Sequence, residues 1–125
     1  MPGAPITRLS MVYDADGTLV GEVRYVVGHL LGRARCDLCD ITHGGLRRRA
    51  SFDDLIASLP VPADVVHRDE QSPELAVFTA GRLACVVGHT GDGLEVLVGR
   101  EDLAACEGSV DRLADVLRPR LAHRT

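Results

Sequence analysis

Lysine is absent from this chain, and all 14 basic residues are arginine. That absence excludes Schiff-base chemistry and a P-loop lysine. Tryptophan is absent too. The aromatics are Tyr13, Tyr25, Phe52 and Phe78 alone, too few for a base-stacking surface. Charge interrupts every apolar run within a few residues, so no stretch is expected to span a membrane. Acidic residues outnumber basic ones 18 to 14, and a formal charge of −4 supplies no global basic field for nucleic acid. The opening Met1-Pro2-Gly3-Ala4-Pro5 lacks the charged-then-apolar layout of a signal peptide, so a cytoplasmic protein is expected. In that compartment four cysteines are expected to serve catalysis or metal binding rather than disulfides.

What is present suits one soluble domain. The 125 residues are 46% apolar and 26% charged, enough for a single modest core. Residues 1–8 read as a loose lead-in and residues 9–125 as the domain. Leu9 to Tyr13 predicts a buried strand that ends in the turn signal Asp14-Ala15-Asp16-Gly17. Leu19, Val23, Val26, Val27, Leu30 and Leu31 recur at helical spacing. A second helix is expected from Ser51, as N-cap, with Phe52, Leu55, Ile56 and Leu59 as its stripe; Pro60 and Pro62 stop it. Strands are expected at 63–67, 75–79, 83–87 and 94–98, with turns at Ala80-Gly81 and Gly91-Asp92-Gly93. Val110, Leu113, Ala114, Leu117 and Leu121 mark a last helix that Ser109 would cap and Pro119 would kink or end. This order predicts an α/β fold: a mixed sheet flanked by helices, with an inserted helix and a cysteine-rich segment before the second helix.

The chemistry concentrates in residues 33–49, which hold Cys36, Cys39, His43 and five arginines. If Cys36 to His43 is helical, these three side chains sit at i, i+3 and i+7, on one face. Two thiolates and an imidazole there suit zinc or iron. A fourth ligand would come from His67, Cys85, His89 or Asp14. The same residues suit dithiol redox chemistry, which needs no cofactor. Arg33, Arg35 and the run Arg47 to Arg49 would favour the thiolate, Asp37 and Asp40 would oppose it, and His43 would carry the proton. A purely structural pair is the third alternative. Cys85 and Cys106 read as packing or surface residues. Ligands bind where strand ends line one edge of an open sheet, and Asp14, Asp16, His67, Asp69 and Pro73 are expected to gather there.

Residues 65–87 resemble the second half of a thioredoxin fold: the strand Val65 to Glu70, then Pro73, the apolar Leu75 to Phe78, Gly81 and Leu83 to Val87. The resemblance implies that Pro73 is a substrate-facing proline opposite the Cys36–Cys39 pair. It implies a thiol–disulfide oxidoreductase acting on a small thiol, a disulfide or a protein thiol. In thioredoxins, however, the pair follows the first strand directly, whereas here a helix intervenes. The chain also resembles a set of small bacterial proteins that share Ala-Asp-Gly after a strand and a later Cys-x-Leu-Cys-x-Ile-Thr-His-Gly. Here these are Ala15 to Gly17 and Cys36 to Gly44, and no activity follows from them. Asp14-Ala-Asp16-Gly17-Thr18-Leu19 resembles the first motif of haloacid-dehalogenase-type phosphatases, with Gly91-Asp92-Gly93 as a faint echo of a late acidic motif. That resemblance implies a Mg²⁺-dependent phosphatase using Asp14 and Asp16, although no lysine is present to meet the phosphate.

Overall fold

The computed structural model describes residues 4–14, 38, 41, 43–44, 47–48 and 50–125. The helix expected over 19–31 lies outside the described residues, as do Asp16, Cys36 and Cys39.

Ile6–Val12 (β1) is the spine of the sheet. It starts inside the expected lead-in, because Ile6 is buried and its N–H donates to the Arg124 carbonyl. Two short strands follow, His43–Gly44 (β2) and Arg47–Arg48 (β3), paired antiparallel with each other. Ala50–Ser58 is helix α1, which places Ser51 in the first turn rather than at the N-cap. Ala63–Val66 (β4) leads into a 3-10 turn, Arg68–Glu70. Then come helix α2 (Pro73–Thr79), strands β5 (Cys85–Thr90) and β6 (Gly93–Val98), and helices α3 (Arg100–Ala105) and α4 (Val110–Ala122).

The main sheet has the order β4-β1-β5-β6. β4 runs parallel to β1, with Leu9 opposite Ala63 and Val12 opposite Val66. β5 runs antiparallel to β1, with Val12 opposite Cys85, and β6 returns antiparallel to β5. Side chains alternate across a strand, so Leu9, Met11 and Tyr13 point one way and Ser10 and Val12 the other. On the first face, Leu9, Met11 and Val86 join Phe52 of α1, Leu103 of α3 and Leu113 and Leu117 of α4 in the larger core. Leu38 and Ile41 are helical, fully buried and part of that same core. On the second face, Val12, Cys85 and Val87 form a smaller cluster with Leu75 of α2. Each fully buried Leu or Phe contributes about 1.5–3 kcal/mol, so most of the stability comes from the first face.

Residues 75–79, expected as a strand, are helical. Leu-Ala-Val-Phe-Thr has strand-like composition, but the residues before it start a helix. The Ser72 hydroxyl accepts from Leu75 N–H at 3.3 Å, and Pro73 occupies the first helical position, where its missing N–H costs nothing. Leu75 and Thr79, four apart, are then buried while Val77 is exposed. Helix α3 has no counterpart among the expected elements. Its local signal is Asp102, whose carboxylate accepts from Gly99 N–H at 3.1 Å. β5 is shifted toward Thr90 relative to the expected 83–87, because Gly88, His89 and Thr90 all pair with β1. Pro119 sits inside α4 without ending it, since Leu121 beyond it is still buried in the core.

Candidate functional site

The parallel pairing of β1 and β4 brings two strand ends to one edge of the sheet. Tyr13 N–H donates to the Val66 carbonyl at 2.9 Å, so Asp14 emerges beside His67 and Arg68. β5 starts at this same edge, opposite Val12.

His67 is held from two sides. Its ring meets Tyr13 edge to face, with centroids 5.0 Å apart. Its Nδ1 lies 2.6 Å from Glu70 Oε1, and that oxygen also accepts the His67 backbone N–H at 2.7 Å. Both bonds favour the ionised carboxylate, and the backbone bond holds the Glu70 carboxyl below its ordinary range most strongly. The ring orientation is therefore set through Nδ1, and Nε2 is the nitrogen left for a proton or a ligand. Arg68 crosses from β4 to β1 and donates from Nη1 to Asp14 Oδ1 at 3.3 Å, both side chains being roughly half exposed. Next to this pair lies a hollow of about 440 Å³ walled by Asp14, Arg68, Gln71, Thr79, Leu83 and Arg100. Thr79 is fully buried and donates to Gln71 Oε1 at 2.5 Å, which fixes the floor between the 3-10 turn and α2.

The other expected residues fall elsewhere. Pro73 opens a helix, where it had been expected to precede a strand, and its bond to Ser72 is trans. The one cis peptide among the described residues is Leu83–Ala84, before β5. His43 is in β2, opposite Arg48, so a single helical face carrying Cys36, Cys39 and His43 does not reach His43. Asp92 lies in the β5–β6 turn, at the Ile6 end of β1. β1 separates it from Asp14 by roughly 20 Å of strand, so the two acidic motifs do not form one site.

Cys85 and Cys106 are both buried. Burial among Val12, Leu75 and Val87 pushes the Cys85 thiol up to about 11, against a smaller opposing effect of the Arg82 charge. It is a packing residue and a poor thiolate at neutral pH. His89 is remote from the Asp14 edge. Its Nε2 is 2.7 Å from Ser10 Oγ and its Nδ1 is 3.4 Å from Arg8 Nη2. Among the described residues, no three His, Cys, Asp or Glu side chains converge as a metal site would require. No described helix is long and apolar enough to cross a membrane.

Sequence reasoning reached Asp14 and His67 through the strand-end rule but passed over Arg100 and the Ser10–His89 pair. Ser10 carried a signal, since it is a polar residue inside an otherwise apolar run. No protein-family model matches the chain, and no curated protein or solved structure matches it either.

Proposed function

We propose that this protein is a thiol-dependent redox or thiol-transfer protein built on a thioredoxin-like core, with Cys36 and Cys39 as its working pair. The supporting observation is the sheet itself. A parallel pair, β4 beside β1, is followed by an antiparallel β5–β6 hairpin, with helices on both faces. A thioredoxin-like core has that arrangement. Leu38 and Ile41, which flank Cys39 in sequence, are buried in the main core.

In the reaction, one thiolate attacks a substrate disulfide. A mixed disulfide forms and the first substrate thiolate leaves, taking up a proton. The second cysteine then attacks the mixed disulfide. The second substrate thiol departs and Cys36–Cys39 is left oxidised, two electrons having passed to the substrate. A separate dithiol restores the reduced pair. His43 is assigned to proton transfer for the leaving thiol.

The test is thiol titration of the native protein beside Cys36→Ser, with metal content measured on the same samples. Two fast thiols should vanish on mild oxidation, while Cys85 and Cys106 react only after unfolding. A near-stoichiometric transition metal that protects those thiols and is lost in Cys36→Ser would make Cys36, Cys39 and His43 ligands, and the redox assignment would fall.

A further inference from the structure

Independently of the cysteine pair, we propose that the hollow at the sheet edge binds a small zwitterion, an amino acid with an aliphatic side chain, its carboxylate on Arg100 and its ammonium on Asp14. β6 runs parallel to β1, because each is antiparallel to β5, so the carboxyl ends of β4, β1 and β6 all reach this edge. Open α/β sheets bind ligands outside such strand ends. Asp14 follows β1 and Arg100 follows β6, with β5 between them, so their backbones stand two strand spacings apart, about 10 Å. A guest a few atoms long, met by the long Arg100 side chain, spans that distance. The hollow's volume of about 440 Å³ holds a molecule of that size.

The charges here favour a guest that carries both signs. The strand ends bring Asp14, Asp69, Glu70, Glu101 and Asp102 beside Arg68 and Arg100, so the edge suits neither a simple anion nor a simple cation. Most of these groups have partners. Glu70 holds His67, and Asp102 holds Arg120. Arg68 donates to Asp14 Oδ1 at 3.3 Å, which leaves Asp14 Oδ2 without a hydrogen bond among the described residues. The Arg100 guanidinium has no hydrogen bond or ion pair among those residues either, and it lines the same hollow as Asp14. A guanidinium matches a carboxylate with two parallel N–H donors, and a carboxylate oxygen accepts from an ammonium. The uncharged polar groups of the wall are engaged with the protein itself. Thr79 donates to Gln71 Oε1 at 2.5 Å, and Gln71 Nε2 donates to the Arg68 carbonyl at 2.9 Å. Ala76 and Leu83 complete the lining with apolar surface for an aliphatic side chain.

The test compares L-leucine with its two halves, 4-methylpentanoate and 3-methylbutylamine, which keep the carbon skeleton and one charge each. Binding is followed by amide NMR titration of the full chain at neutral pH. Leucine should bind saturably and shift the amides of Ala76, Gly81 and Arg100. Each half should bind about tenfold more weakly, the usual scale for one charge-assisted contact. Arg100→Gln should weaken leucine about tenfold and leave 3-methylbutylamine unchanged. Asp14→Asn should weaken leucine and leave 4-methylpentanoate no weaker. Thermal midpoints of both variants should match the parent, and the ligand comparison on the wild-type chain tests the site without any variant. Absence of saturable leucine binding would overturn the proposal. So would either half binding as tightly as leucine, shifts confined to other parts of the chain, or unchanged leucine affinity in both variants. Tighter leucine binding in Asp14→Asn would also overturn it, because Asp14 would then be a competitor for the arginines. None of these outcomes bears on the cysteine pair, so this site and the thiol assignment stand or fall separately.

Discussion

The two faces of the sheet are built for different purposes. One is covered by α1, α3 and α4 and holds the larger apolar cluster, from Ile6 and Leu9 to Leu121. The other is covered by the seven-residue α2 and holds Val12, Leu75, Cys85 and Val87. Toward the Ile6 end that second face becomes polar, with Arg8, Ser10, Asp64 and His89 in place of a continued apolar layer. Cohesion is concentrated on the first face. The second face trades packing for polar groups, and α2 forms one wall of the hollow at its edge.

The sharpest way to break this comparison is to cut each core. Phe52→Ala removes a fully buried ring from the larger cluster and should cost about 3–5 kcal/mol. Leu75→Ala cuts the smaller cluster and should cost less, about 2 kcal/mol, because fewer buried apolar neighbours surround it. Urea unfolding measures both, and equal losses would erase the asymmetry.

A smaller effect is expected at the start of α2. Ser72→Ala removes the cap on Leu75 N–H and should cost about 1 kcal/mol. Ser109→Ala, which removes the cap on Arg112 N–H at the start of α4, should cost a similar amount, and urea unfolding measures both.

The smallest effect is a pH dependence at the polar end. Burial, and secondarily the Arg8 charge, lower the His89 pKa from 6.5, while Glu74 and Asp64 oppose them. Below 6.5 the unfolded chain therefore binds more protons than the native one. The stability from neutral His89 is present in full above that value and is lost as pH falls through the lower native pKa. The carboxylates of Glu70 and Asp102, also depressed, act in the same direction but start from 4.5 and 3.8, in a separate window. Urea midpoints followed from pH 7 to 5 should decline in wild type and decline less in His89→Asn. An identical slope in the variant would remove His89 from the account.

Periodicity carried most of the architecture. The stripes of α1 and α4 face the larger core, and the apolar runs of β1, β4 and β6 supply side chains to both cores, so a local pattern was enough. It failed at α2, where Leu-Ala-Val-Phe-Thr reads as a strand by composition and Ser72-Pro73-Glu74 starts a helix. The same composition predicts Pro73 before a strand, whereas it opens α2. The candidate site divided in a similar way. Asp14 and His67 were legible because strand ends follow from strand runs. The Arg68–Asp14 bridge, spanning 54 positions, and the arrival of Arg100 beside it depend on strand order, which no local pattern carries.

By itself, then, the sequence determined the absence of lysine chemistry, the α/β class, the main core stripes and the cysteine pair as a chemical candidate. Those properties depend on residue type and on spacing within one element. Only the tertiary structure decided that β4 pairs parallel to β1, that Cys85 is buried beyond useful ionisation and that two arginines meet at one hollow. Such properties depend on which distant segments become neighbours, and on how burial and nearby charge then alter the groups they carry.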